Sequence, residues 1–339
     1  MRAAIFDPYL DTGGGGERYI LAVAEVLKRN GWSVDLQWRD PKIRDWLSVR
    51  TGRDYSGINV VPSVSNGSGY DLIFWLSDGS VPLLFSKKNL IHFQTPFQEV
   101  GGKSLLNRIK FIKVNSVICN SEFTKSFIDK EFGVKSIVLY PPVSTEDFSP
   151  GKKENIILYV GRFSTLQQSK GQDILIECFK KLNAKDWKLV LAGGSEVGGK
   201  EFVQDLKKLA KGSNIEILEN LPFSEIKSLY SKAKIFWSAA GYGVTEEETP
   251  EKVEHFGMTL VEGMAAGVVP LASNKGGHKE VIKNGENGYL WETEEELVKL
   301  THKLINDERR LNSLAEKAKK DCEQFSEQRF EKELLEIIK

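Results

Sequence analysis

Short apolar runs alternate with helical patterns along the first part of the chain. Ala3, Ala4, Ile5 and Phe6 form a continuous run, the pattern of a buried strand. The run leads into four successive glycines, Gly13, Gly14, Gly15 and Gly16. Ile20, Val23, Ala24 and Leu27 then recur at helical spacing until Gly31, and residues 34–38 read as the next strand. Further strand patterns fall at 72–76, 90–93, 117–119 and 137–140. The segment 140–153 changes character: Pro141, Pro142 and Pro150 lie among polar and charged residues, which reads as a linker. A second strand series follows at 156–160, 189–192, 215–218, 235–237 and 268–272, again separated by helical patterns.

This alternation predicts an α/β protein with parallel sheets covered by helices. We expect two doubly wound Rossmann-like domains, 1–148 and 149–325, facing each other across a cleft. In the last segment, 326–339, Phe330, Leu334 and Ile338 are spaced to pack back on the first domain. Ligands of open α/β sheets bind outside the carboxyl ends of the strands, so functional residues are sought in the loops that leave those ends.

Composition narrows the class. A length of 339 residues favours two domains, and 40% hydrophobic with 28% charged residues is an ordinary globular balance. The 47 basic and 47 acidic residues cancel, so the net charge does not point to nucleic acid. Cys119, Cys178 and Cys322 lie far apart without a CxxC pair, which suits a reducing cytoplasm and suggests neither a disulfide framework nor a thiolate zinc site. Asp7 interrupts the first apolar run too early for a signal peptide. No apolar stretch approaches the roughly 20 residues of a membrane-spanning helix.

Three segments carry candidate chemistry. In the first, Gly13 to Gly16 precede Glu17 and Arg18. Glycines let backbone approach a ligand closely, and the helix N-terminus that follows favours an anion. A flexible turn is the plainer reading, and the series stops short of a full GxGxxG. In the second, Arg162 leaves a strand pattern within Tyr159-Val160-Gly161-Arg162-Phe163, and Lys170-Gly171 follows. Two cations there suit a diphosphate clamp, although any Arg or Lys is by default a solvated surface charge. The third has two glutamates, Glu254 and Glu262, with seven residues between them. Gly257 marks a loop-to-helix turn, and Ala265-Ala266-Gly267 follows. Glu254 would lie before the helix near its positive end, where backbone N–H groups around Gly257 can hold phosphate or sugar oxygens. Glu262 would lie about one turn in, on the face of Met258 and Thr259. Each glutamate taken singly is best read as solvated.

Taken together, these residues resemble glycosyltransferase family 4, of GT-B fold, over nearly the whole chain. Asn120-Ser121-Glu122-Phe123-Thr124, Lys275-Gly276-Gly277 and Asn287-Gly288 extend the likeness. Gly13-Gly14-Gly15-Gly16-Glu17-Arg18 looks like the α-1,2-mannosyltransferases that extend dolichol-linked oligosaccharide with GDP-mannose. The stretch Phe236-Trp237-Ser238-Ala239-Ala240-Gly241-Tyr242-Gly243 is similar to one in related bacterial and archaeal transferases, many of which carry histidine where this chain has Ser238. The resemblance implies a retaining hexosyltransferase that uses a nucleotide-diphosphate sugar, with GDP-mannose ahead of UDP-sugars. It implies a glycan or lipid-linked saccharide as acceptor. Gly15 and Gly16 would present backbone to the donor phosphates, and Arg162 and Lys170 would neutralise the departing diphosphate. Glu254 would contact the sugar, helped by backbone at Phe256, Gly257 and Met258 with Thr259 beside them. Glu262 would bind the ribose. His92, at a strand end, would reach the sugar from the other side, unless it is a satisfied structural histidine. His255, His278 and His302 read as structural or exposed. No Asp-x-Asp pair occurs, so no cofactor or metal is expected.

Two other functions stay open on the same architecture: a sugar-nucleotide epimerase or phosphorylase, and a catalytically silent sugar-nucleotide binding protein. A phosphorylase would want a pyridoxal phosphate lysine, for which no motif is apparent. Residues 103–114 add a possible partner. Leu105, Ile109 and Ile112 share a helical face, and Lys103, Arg108, Lys110 and Lys113 supply charge, as in helices that lie on an anionic membrane. We expect the aliphatic stripe to pack on the first-domain sheet while the cations face lipid. This would make the chain cytoplasmic, with peripheral contact to the cytoplasmic membrane face.

Overall fold

The computed structural model describes residues 1–164, 169–195 and 199–339. They divide into two compact units, Met1–Pro142 with Glu327–Lys339, and Val143–Ser326. The division falls at 142/143 and 326/327, where the sequence suggested 148/149 and 325/326. Backbone pairing gives the reason. The Val143 N–H donates to the Phe325 carbonyl at 2.9 Å, and Val143 bridges Ser326 in parallel. The chain therefore enters and leaves the second unit side by side, and the proline-rich segment after Pro142 is part of that unit.

The first unit contains strands β1 (Arg2–Phe6), β2 (Ser33–Gln37), β3 (Asn59–Val61), β4 (Leu72–Leu76), β5 (Lys88–Phe93), β6 (Ser116–Cys119) and β7 (Ile137–Val138). They form one parallel sheet in the order β3-β2-β1-β4-β5-β6-β7. Its helices are α1 (Gly15–Arg29), α2 (Ile43–Thr51), α3 (Leu105–Phe111) and α4 (Glu122–Phe132). The helical spacing of Ile20, Val23, Ala24 and Leu27 turns all four side chains into the core on one side of the sheet. Ser121 caps α4, its hydroxyl accepting from the Thr124 N–H at 3.1 Å, which satisfies a donor the helix start would otherwise leave open.

The second unit contains β8 (Ile156–Val160), β9 (Lys188–Gly193), β10 (Ile215–Glu219), β11 (Ile235–Ser238), β12 (Val269–Ser273) and β13 (Tyr289–Trp291). They also run parallel, in the order β10-β9-β8-β11-β12-β13. Its helices are α5 (Gln172–Leu182), α6 (Lys200–Leu209), α7 (Phe223–Lys232), α8 (Met258–Ala265), α9 (His278–Val281), α10 (Glu294–Ile305) and α11 (Glu308–Asp321). Both sheets are doubly wound. Strand order reverses between β1 and β4 in the first unit and between β8 and β11 in the second, and ligands of such sheets gather at these reversals. The edge strands β3 and β13, three residues each, are too short to show a periodicity in the sequence.

Helix α12 (Glu327–Ile337) belongs to the first unit. Phe330 and Leu334 are buried there, with Phe330 edge-on to Tyr19 of α1 at 5.2 Å between ring centroids. Helix α3 departs from the expected packing. Leu105, Ile109 and Ile112 are 75%, 53% and 82% exposed, and no residue of α3 is buried. Seven residues give two turns, and their aliphatic face finds no cover within the unit.

The C-terminal helix supplies core to the first unit, so Phe330→Ala should destabilise that unit by about 3–5 kcal/mol, the usual range for truncating a buried phenylalanine. Urea unfolding of the full chain measures this. A loss below about 1 kcal/mol would show that the helix packs only superficially.

Candidate functional site

In the second unit, the loops leaving β8, β11 and β12 converge with the turn that precedes α8. Gly161 and Arg162 follow β8. The buried Gln172, at the start of α5, donates from Nε2 to the Arg162 carbonyl at 2.8 Å, which pins the backbone and leaves the side chain exposed. Among the described residues the Arg162 guanidinium has no hydrogen-bond or ion-pair partner. Lys170, two residues before α5, pairs its Nζ with Glu254 Oε2 at 2.9 Å. The two side chains are only 15% and 22% exposed. Lys170 is thus not a free surface cation: it ties the approach to α5 to the approach to α8.

Glu254 is held by its backbone as well. Its carbonyl accepts from the Gly277 N–H at 2.8 Å. A side chain at Gly276 would run into that carbonyl, and one at Gly277 into the backbone of His255 and Phe256. The Lys275-Gly276-Gly277 segment is glycine-rich because two backbones touch there. Burial alone would raise the Glu254 carboxyl. Lys170 and, to a lesser degree, His278 and His255 reverse that and bring it down to about 2. Glu254 is therefore a fixed carboxylate that can only accept hydrogen bonds.

His278 opens α9 and is buried. Its Nδ1 lies 3.0 Å from the Ser273 carbonyl, which can only accept, so Nδ1 carries the proton. Nε2 is then the acceptor for the Ser238 hydroxyl, 3.2 Å away. Burial holds His278 below the ordinary histidine range despite the pull of Glu254, so the ring is neutral at pH 7. Ser238 acquires a structural role here, as the residue that orients this imidazole. His278, which the sequence reads as structural or exposed, is thus buried against Ser238, the position at which many related transferases carry histidine. The available signal was a histidine directly after the close-packed Gly276-Gly277 pair.

Helix α8 begins at Met258 with Gly257 as its N-cap, at φ 102°. That left-handed conformation favours glycine, and no side chain caps the helix start. Leu260 N–H already bonds the Gly257 carbonyl at 3.0 Å, whereas the Met258 and Thr259 N–H groups find no acceptor among the described residues. These donors, at the positive end of a helix dipole and beside Glu254, suit an anion. Phe256 is buried edge-on to Phe325 at 5.1 Å and anchors the turn. Glu262 is buried, its Oε2 lying 3.0 Å from the Tyr230 hydroxyl, which also reaches the Thr259 carbonyl at 2.9 Å.

In the first unit, Gly15 and Gly16 are the first two residues of α1. Glu17 folds back to accept the Gly14 N–H, and Gln94, just past β5, donates to the Gly16 carbonyl at 3.1 Å. Asp7, just past the carboxyl end of β1, is buried. One of its oxygens accepts from the Tyr9 N–H at 2.8 Å and the other has no partner among the described residues. Burial, with Glu17 and Asp11 adding to it against the Tyr9 bond, pushes the Asp7 carboxyl up to about 8, so it keeps its proton at neutral pH. Asp7 and Gln94 also belong around the glycine loop and were not singled out from sequence.

His92 is fully buried on the α1 side of the sheet, stacked on Tyr19 at 4.1 Å and tilted against Phe74 at 5.5 Å, and neither ring nitrogen has a hydrogen-bond partner among the described residues. Burial drives its pKa down to about 3, so the ring is neutral. The reason is register: β5 alternates sides, and His92 shares a side with the core residue Leu90. Among the described residues, no cluster of three or more His, Cys, Asp or Glu side chains is arranged to hold a metal ion.

Comparison with known proteins sets this geometry in a family. Residues 144–321, more than half of the chain, match the family model for glycosyl transferases group 1. The chain is 30% identical to an uncharacterized glycosyltransferase of Methanocaldococcus jannaschii, over 80% of this chain and 74% of that protein. It is 27% identical to the GDP-Man:Man(3)GlcNAc(2)-PP-Dol alpha-1,2-mannosyltransferase of Dictyostelium discoideum, over 73% of this chain and 49% of that one. It thus spans about half the length of the dolichol-linked mannosyltransferases it matches. Among solved structures, a glycosyltransferase from Rickettsia africae superposes with a TM-score of 0.80 at 20% identity, covering 99% of this chain and 97% of that one. The Anabaena protein HepE, solved with UDP and glucose, gives 0.74 at 16% identity, covering 99% and 98%. At such identities the likeness shows the fold, two Rossmann-like parallel-sheet domains of GT-B type. The family match and the 30% identical relative together place this chain in the glycosyl transferases group 1 family.

Proposed function

We propose that this chain is a retaining, metal-independent hexosyltransferase that moves mannose from GDP-mannose to a lipid-linked saccharide. The observation that carries the reading is the Lys170–Glu254 pair beside the open N–H groups of α8. Such a site offers an anion donors at Met258 and Thr259, and offers sugar hydroxyls a fixed carboxylate. Mannose and the lipid-linked acceptor come from the names of the dolichol-linked relatives. A UDP-sugar is the alternative donor.

In this reading the second unit holds the donor. Phosphate oxygens sit on the Met258 and Thr259 N–H groups at the Gly257 turn. Arg162, exposed at the end of β8, and Lys170 stabilise charge on the leaving diphosphate, where preorganised cations lower the barrier most. These cations take the place of a metal. Glu254, ionised and held by Lys170, accepts from the sugar hydroxyls. Glu262, deeper in α8, takes the ribose hydroxyls with Tyr230 steadying it. The first unit, with the glycine backbone that opens α1, receives the acceptor. Retention follows the family pattern of front-face attack beside the departing phosphate, which needs no protein nucleophile.

Three outcomes test the proposal. With an α-linked donor, the product should be α-linked by its NMR coupling constant, and turnover should survive EDTA. A β-product or an EDTA-dead enzyme would overturn the mechanism. Next, Arg162→Ala and Lys170→Ala should each lower kcat/KM by at least about tenfold, or about 1.4 kcal/mol of transition-state stabilisation. Lys170→Ala should be the worse of the two, because it also releases Glu254. Wild-type kcat/KM in both would remove the clamp. Finally, Glu254→Gln should depress kcat with little change in GDP affinity, whereas Glu262→Gln should weaken GDP binding first. Calorimetric titration of GDP reads this directly, and equal losses of affinity in both variants would refute the division of roles.

A further inference from the structure

We propose that helix α3 and the neighbouring Phe85 form a docking face for an anionic membrane surface. Leu105, Ile109 and Ile112 recur at the spacing of one helical face, and Leu106 lies beside them. All four are more than half exposed, and Phe85 is 49% exposed. The Lys113 ammonium lies 5.0 Å from the centre of the Phe85 ring, and Lys110 Nζ donates to the Val81 carbonyl at 2.6 Å. The loop that carries Phe85 and the helix therefore form one continuous patch. Soluble surfaces seldom gather large aliphatic side chains in this way without a partner.

Charge selects the partner. Residues 103–114 contain Lys103, Arg108, Lys110 and Lys113 and no acid. The nearby Glu131 is already occupied, accepting from the N–H groups of Glu99, Val100 and Gly102. A second copy of this chain placed face to face would bring two sets of four cations together, which opposes a symmetric dimer. Anionic headgroups neutralise the same cations while the aliphatic side chains enter the acyl boundary. Two helical turns suffice for that and cannot span a bilayer. Among the described residues, no helix is long and apolar enough to cross a membrane. The loop that leads from β5 to α3 also carries Gln94, which holds Gly16, so one connection joins the docking face to the glycine loop. The inference rests on the lipid-linked acceptor reading for its purpose, but its test needs neither donor nor acceptor.

The full chain is sedimented with vesicles of phosphatidylcholine alone and of phosphatidylcholine with an equal part of phosphatidylglycerol, at low and physiological salt. Recovery should be far greater on the anionic vesicles and should fall with salt. The double variants Leu105→Gln/Ile112→Gln and Lys103→Glu/Arg108→Glu should each lower binding by about tenfold with unchanged unfolding midpoints, since all four residues are exposed. Equal recovery on neutral and anionic vesicles at low salt would overturn the proposal. So would wild-type binding by the Leu105→Gln/Ile112→Gln variant. Light scattering that shows a wild-type dimer and a monomeric Leu105→Gln/Ile112→Gln variant would assign the face to a second copy and overturn it equally.

Discussion

The ion pair between Lys170 and Glu254 joins segments that are distant along the chain and arrive from different strands. One leads from β8 into α5 and the other from β11 into α8. Neither side chain is freely solvated, so the pair is strong enough to hold the Glu254 carboxyl at about 2 against the penalty of its own burial. Removing one partner would strand the other as a poorly solvated charge, which costs far more than losing a surface salt bridge. The open N–H groups of α8 depend on the same arrangement, because the turn at Gly257 begins three residues after Glu254.

That pair is supported by close backbone contact and by a neutral imidazole. Gly276 and Gly277 let the loop after β12 touch the backbone of Glu254, His255 and Phe256. His278, fixed by the Ser273 carbonyl and the Ser238 hydroxyl, then sits next to the carboxylate without adding a proton to it. The positive character of the site thus comes from Lys170, Arg162 and the helix end.

The two units share a doubly wound plan and differ in what they place at the reversal of strand order. In the second, cations and open N–H groups gather near a carboxylate. In the first, Glu17 and Gln94 complete the hydrogen bonds of the glycine loop, and Asp7, just past β1, is buried with its carboxyl raised by that burial. The first unit also carries the exposed aliphatic face of α3.

Much of the fold was legible in the chain itself. Continuous apolar runs and helical spacing depend only on which residues must leave water, and they marked most strands of both sheets and the buried face of α1. The glycine-and-glutamate pattern around Gly257 likewise marked the α8 turn, because a left-handed N-cap is a local demand. What only the tertiary structure decided was direction and partnership. Register turned His92 into the core against Tyr19 and Phe74, although the residue stands near a strand end as a ligand-contacting histidine would. The stripe on α3 has the spacing of a packed helix, yet no element among the described residues covers it. Lys170 reads as a solvated cation until Glu254, 84 positions away, is brought within 2.9 Å. Asp7 and His278 owe their protonation states to burial and to neighbours contributed by other elements. Periodicity and turn chemistry act over a few residues and can be read along a line. Burial, pairing and charge are set by what the folded chain places opposite each side chain.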